Sequence, residues 1–115
     1  MALNDAALNI GNAATQTAIT HARVHTAQPD AAGSNESAAA RQAITWVTAA
    51  NGDMIATADM AFTGGTASGA ATHIGYWSAL TGGTFYGWQP LTGDQTFNAA
   101  GEYTITGITI TGTAS

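Results

Sequence analysis

The chain has no cysteine and no lysine, and its basic side chains other than histidine are Arg23 and Arg41 alone. Without cysteine there is no disulfide and no thiol nucleophile, although the absence says nothing of the redox compartment. Two arginines against seven acidic residues leave a net charge of −5. Nucleic-acid binding needs clustered cations to displace counterions from phosphates, so that partner is excluded. An anionic membrane surface is disfavoured for the same reason. No stretch is long and apolar enough to span a bilayer, which argues against membrane insertion. The opening residues, MALNDAALNIGNAATQ, lack the positive and continuous apolar regions of a signal peptide. The expected site of synthesis is the cytoplasm, with any later export by a different route, such as lysis of the cell.

Charge of either sign is scarce. Charged residues make up 8% of the chain, where soluble domains usually carry about a quarter. Ala, Thr and Gly together supply about half of it. Such a surface suits a subunit packed into a large assembly, or an extracellular β-protein. The length of 115 residues fits a single domain, residues 1–115. Large apolar residues are few, so oligomerisation is one expected supplement to a modest core.

The hydrophobic period changes once. Residues 4–17 read as a helix capped by Asn4 or Asp5, with Leu3, Ala7, Ile10, Ala14 and Ala18 near one face. Gly11 weakens that helix, so it needs packing to persist. Residues 1–18 are therefore the helical segment, and 19–115 the β region. AITHARVHTA alternates, with Ala22 and Val24 on one side and His21, Arg23 and His25 on the other. AQPDAAGSNES reads as a long loop, and ARQAITWVTA as a strand with Ile44 and Trp46 on one face. Asn51-Gly52 is a hairpin signal leading into MIATADMAF, read as one strand. ATHIGYWSA and TFYGWQPL form a second hairpin, which Pro90 ends or places at an edge. DQTFNA is a further strand, and EYTITGITITGT shifts parity at Gly107, as a bulge would. The expected fold is mainly β, an antiparallel β-sandwich or jelly roll of about seven strands with a short N-terminal helix.

The residues offer no constellation for catalysis. The serines lie in loops, at a strand end or at the terminus, outside any strand–turn–helix elbow. Asp30 and Glu36 share a loop, and Asp53 and Asp59 a strand region, without a supporting motif for glycoside hydrolysis. His21 and His25 share a strand face with Arg23 between them, an arrangement unfavourable to a cation. Zinc usually takes three or four protein ligands, so a polar strand face is the preferred reading over a metal site. No phosphate-binding or calcium loop is present. The expectation is a non-enzymatic protein without cofactor.

The sequence is most distinctive at residues 73–91, which hold five of its nine aromatics. Tyr76, Trp77, Tyr86 and Trp88 flank a Thr-Gly-Gly-Thr turn, with Phe85 taking the face opposite Tyr86 and Trp88. One face must line the core, and the other is exposed or covered by a neighbour. Tyr and Trp pair a broad contact area with a polar handle, which suits interfaces. Sugar stacking uses the same rings, with His73, Gln89 and Asp94 as the polar helpers at hand. A protein contact is the preferred reading. The candidate contact residues are Tyr76, Trp77, Tyr86, Trp88, His21, Arg23 and His25.

Several stretches, in order, resemble a family of small virion proteins of tailed phages infecting actinobacteria, described as tail-fibre-like or minor tail proteins. They are LNDAALNIGNAATQTAITHARVHTAQP, GSNESAAARQAITW, THIGYWSALTGGTFYGWQPLTGDQTF and AAGEYTITGITIT. The resemblance implies a non-enzymatic structural subunit of the virion with other virion proteins, and copies of itself, as partners. A trimer is the first expectation, since phage fibres are often threefold. A cell-envelope glycan is a further expected partner of the hairpin. A capsid decoration protein is the alternative, and a free carbohydrate-binding module the second.

Overall fold

The computed structural model describes residues 5–47, 53–56, 59–106 and 108–111. The fold is mainly β, antiparallel in every named strand pair, with a helix ahead of the strands as expected. Helix α1 (Asp5–Ala18) precedes β1 (His21–His25) and β2 (Gln42–Ala43). Then come β3 (Asp53–Ile55), β4 (Met60–Phe62), β5 (His73–Trp77), β6 (Phe85–Pro90), β7 (Tyr103–Ile105) and β8 (Thr109–Thr111). A four-stranded sheet runs β2-β1-β5-β6, and β3–β8 and β4–β7 form two-stranded ribbons.

Alternation along the strands builds the core. Neighbouring residues of a strand point to opposite faces. In β1, Ala22 and Val24 face inward, opposite Tyr76 and Ile74 of β5 in register. That face packs against Met60, Phe62, Phe97, Ile105 and Ile108 from the ribbons and their connections. Phe62 and Val24 are wholly buried, and burying such a side chain contributes about 1.5–3 kcal/mol. A sheet covering ribbons across one core is compatible with the sandwich expectation.

Three readings of the sequence need correction. The stretch 41–47 is not one strand: β2 pairs with β1, and the chain then bends so that Trp46 bridges Ala56. Ile44 is buried, and the Trp46 indole N–H donates to Ile19 O at 2.9 Å. MIATADMAF likewise divides into β3 and β4, which serve different ribbons. DQTFNA supplies only a Thr96 bridge to Ala70, while Phe97 plugs the core. These short segments each switch partners, which alternation alone does not reveal. Asn51-Gly52 and Gly107 lie outside the described residues.

Helix α1 keeps only part of its expected face inward: Ala7 and Ala18 are half-buried, but the middle of that face is not. Ile10 is 75% exposed, and Ala14 is exposed too, whereas Leu8, Asn12 and Gln16 are half-buried. Gln16 Nε2 donates to Val47 O at 2.8 Å. A helix with so few large side chains is oriented by such a polar bond rather than by an apolar stripe.

Candidate functional site

The aromatic hairpin is β5–β6, and β6 is an outer strand of the sheet that ends at Pro90. Its return is closed by Ser78 N–H to Thr84 O at 3.0 Å and Thr84 N–H to Ser78 Oγ at 2.8 Å. Gly82 and Gly83 both adopt positive φ there, 62° and 73°, a conformation glycine takes at little cost. The register shifts between Tyr76 and Trp77, so that Trp77 faces Phe85 while Tyr76 faces Gly87. Tyr86 is the extra residue of this bulge. The bulge changes the parity expected from sequence: Phe85 and Trp88 lie on one face of the sheet, together with His73 and Trp77.

That face is roofed by the 26–41 loop. Trp77 packs on Phe85 at 5.0 Å between ring centroids and stacks on His25 at 6.2 Å. Gly33 of the loop presses onto both rings; a Cβ there would come within 2.5 Å of Trp77 and 2.8 Å of Phe85. Arg41 then lies over the Trp77 ring, with Cζ 3.7 Å from the centroid. Its Nη1 donates to Ala79 O at 3.0 Å and Gly82 O at 2.7 Å, tying loop to hairpin tip.

One carboxylate holds both arginines. Glu36 Oε2 accepts from Arg23 Nη1 at 2.7 Å and Arg41 Nε at 3.3 Å, and Oε1 from Arg41 Nη2 at 3.2 Å. Burial raises the Glu36 pKa, but hydrogen bonds from Arg41 and Arg23 outweigh it and hold the carboxyl below its ordinary value. His25, fully buried, also has its pKa lowered: burial pushes it down, against a raising hydrogen bond to Ser34 and the charge of Glu36. The opposite face of the hairpin belongs to the core. There Tyr76 donates its hydroxyl proton to Gln89 Oε1, and burial pushes the phenol well above its ordinary value.

Outside this roof, an open cleft of about 380 Å³ runs between Pro29–Ala31 of the loop and Phe85–Trp88 of β6. Tyr86 is 50% exposed and Trp88 38%. Asp30 stands on the opposite wall, its carboxylate Oδ1 accepting from Ala32 N–H and Ser34 N–H of the same loop. Those backbone donors lower its pKa.

A family model described as podophage GP4 fiber I protein gp80 matches residues 2–113. The chain belongs to that family. It is accordingly a phage tail-fibre-like structural protein of the virion, with other virion proteins as partners. The family is one of structural fibre proteins, in line with the non-enzymatic expectation. No curated protein matches the chain. Among the described residues no helix is long and apolar enough to cross a membrane, and no three His, Asp or Glu side chains converge as a metal site would require.

Within this fibre protein the candidate contact residues separate sharply. Tyr86 and Trp88 are exposed at the cleft. Tyr76 and Trp77 are 3% and 6% exposed, and are packing residues of the chain itself. The His21/Arg23/His25 face is only partly open, because the 26–41 loop covers its His25 end. His25 is buried, Arg23 is bound to Glu36, and His21 shares a hydrogen bond with Thr20 at 2.8 Å. Alternation assigns these residues to one face but cannot show that a loop folds back over it. Asp30 and the dual role of Glu36 were missed for the same reason: both come from the loop. Gln89, expected as a helper at the aromatic surface, is instead engaged with Tyr76, and His73 lies edge-on to Trp88 at 5.2 Å.

Proposed function

We propose that this chain is a repeated subunit of the phage tail fibre or tail tip, joined to further copies of itself through the outer side of the β5–β6 hairpin. The observation that carries this reading is the exposure of Leu80, Tyr86 and Trp88 within Ser78–Gly93, a stretch without a charged side chain. Exposed rings on a hairpin segment without charged side chains have the composition of an interface core rather than of a solvated edge. Membership of a fibre family supports a virion partner over a free binding module, and over the shell-decorating role that the composition also allowed. Sedimentation velocity tests it. The wild type is expected to be an oligomer, with a trimer as the first stoichiometry to fit, and Tyr86→Ala/Trp88→Ala a smaller species with an unchanged circular dichroism spectrum. A wild type that stays monomeric, or a double variant that assembles normally, contradicts it.

A second reading rests on Asp30. An acidic residue on the wall opposite two exposed rings of an open cleft is the chemistry that binds a sugar, by stacking on its apolar face and accepting from its hydroxyls. It makes host-envelope glycan a partner of the same surface. Under this reading Asp30→Asn weakens binding to host-envelope polysaccharide while leaving the oligomer intact. An Asp30→Asn protein that binds as the wild type does removes it.

A further inference from the structure

His25 is the most enclosed titratable side chain of the roofed layer, with no exposed surface. Its Nδ1 lies 2.8 Å from Ser34 O. A carbonyl only accepts, so the proton of the neutral ring is on Nδ1 and the bare nitrogen is Nε2. Nε2 makes no hydrogen bond and rests over Gly75, where a Cβ would come within 2.4 Å of it. The ring stacks within 9° of parallel on Trp77 and packs on Phe85 at 5.8 Å between centroids. A second proton, placed on Nε2, would find no acceptor.

The charged surroundings pull both ways: the Glu36 carboxylate favours that proton, and Arg23 and Arg41 oppose it. Arg23 of β1 and Arg41 ahead of β2 already share the one carboxylate of Glu36. His73, the register partner on β5, is turned to Thr72 and Trp88. Strand β6 contributes no charged group. The loop is held at its far end by the Arg41 bonds to Ala79 O and Gly82 O and by Glu36 on Arg23, and near His25 by Thr26 N–H to Asn35 O at 2.9 Å and Ser37 N–H to Val24 O at 3.0 Å. Asn35 is itself in the left-handed region, with φ of 63°, a conformation that costs a non-glycine residue free energy.

We propose that His25 is the pin of an acid-sensitive latch, and that taking up a second ring proton expels it from its slot and releases the 26–41 loop from Trp77 and Phe85. The roof of the hairpin is then an element with two arrangements, closed when His25 is neutral and open when it is an imidazolium. Pro29–Ala31 form one wall of the aromatic cleft, so opening reshapes the surface that carries Tyr86 and Trp88. The latch stands whatever binds that surface.

The sign follows from linkage. The open loop leaves His25 at its ordinary value near 6.5, while burial lowers the value in the closed state. The open state therefore binds more protons below pH 6.5, and closure is fully stable above that value and weakens as pH falls through it. The opening constant therefore rises between pH 7.5 and 5.5, by up to about tenfold.

Amide hydrogen exchange of residues 27–37, corrected for the intrinsic effect of pH, and an NMR titration of the His25 ring read this directly. The expected result is a progressive loss of loop protection between pH 7.5 and 5.5, of up to about tenfold. His25→Gln, which keeps a donor for Ser34 O but cannot charge, should show no such loss. Loop protection that is constant while the His25 ring titrates in place would overturn the proposal, and so would an acid response that survives in His25→Gln. If that variant does not fold, the wild-type pair of measurements decides. Ring protonation and loss of loop protection must share one midpoint, and separate midpoints sink the latch.

Discussion

Arg41 lies over Trp77 with its guanidinium carbon 3.7 Å from the ring centroid, and the same planar group reaches both oxygens of Glu36. This stacked, forked arrangement joins the loop, the hairpin and the buried indole in one contact. Only a guanidinium fits it, because an ammonium is a point charge that neither stacks flat nor bonds in parallel. Arg41→Lys is therefore expected to destabilise the protein by about 1–3 kcal/mol, read as a lower urea midpoint at constant slope. A midpoint equal to that of the wild type would show the contact to be incidental.

Two glycines should respond in opposite directions to alanine. At Gly75 a Cβ would meet His25 Nε2 at 2.4 Å and Phe85 at 2.9 Å, both in packed rings. Gly75→Ala should cost about 1–3 kcal/mol by overpacking. At Gly11, in α1, a Cβ meets nothing within 4 Å. Gly11→Ala should stabilise by about 0.5–1 kcal/mol through helix propensity. Thermal unfolding of both variants checks the pair; a Gly75→Ala protein as stable as the wild type would refute the packing described for the roofed face.

The aromatic residues of the hairpin should divide in the same way. Trp77→Ala removes a buried ring and should cost about 3–5 kcal/mol. Tyr86→Ala and Trp88→Ala act at exposed rings and should change the urea midpoint little while altering assembly. Unfolding caused by either exposed-site variant would make those rings part of the core.

Glu36 gives the chain a second acid response, lower than that of His25. Its folded-state value lies below the ordinary 4.5. The stability it contributes is present above 4.5 and is lost as pH falls through the folded value. Glu36→Gln should lower stability at pH 7 and flatten the loss between pH 4.5 and 3. An unchanged acid limb in urea titrations would show the two ion pairs to contribute nothing there.

Much of this architecture is legible in the residues, and the gaps have a common cause. The alternation of HARVH and the turn glycines 82 and 83 predict β1 and the hairpin, because both signals are local. Pro90 likewise marks the end of an outer strand. The bulge at Tyr86 is not legible, since one extra residue leaves composition unchanged yet moves Phe85 to the face of Trp88. Nor is the fold-back of the 26–41 loop, which turns His25 and Trp77 from expected surface into interior. It rests on long-range contacts of Gly33, Glu36 and Arg41 that no spacing encodes. The cleft is therefore half predicted: Tyr86 and Trp88 come from the sequence pattern, and Asp30 only from the fold.

The central claim is that this chain serves as a fibre subunit at the phage tail. Gold-labelled antibodies against it, applied to intact particles, test that most directly. Label confined to the tail and its fibres is the predicted result. Label spread over the head shell would contradict it, and would recast Tyr86 and Trp88 as contacts to the capsid.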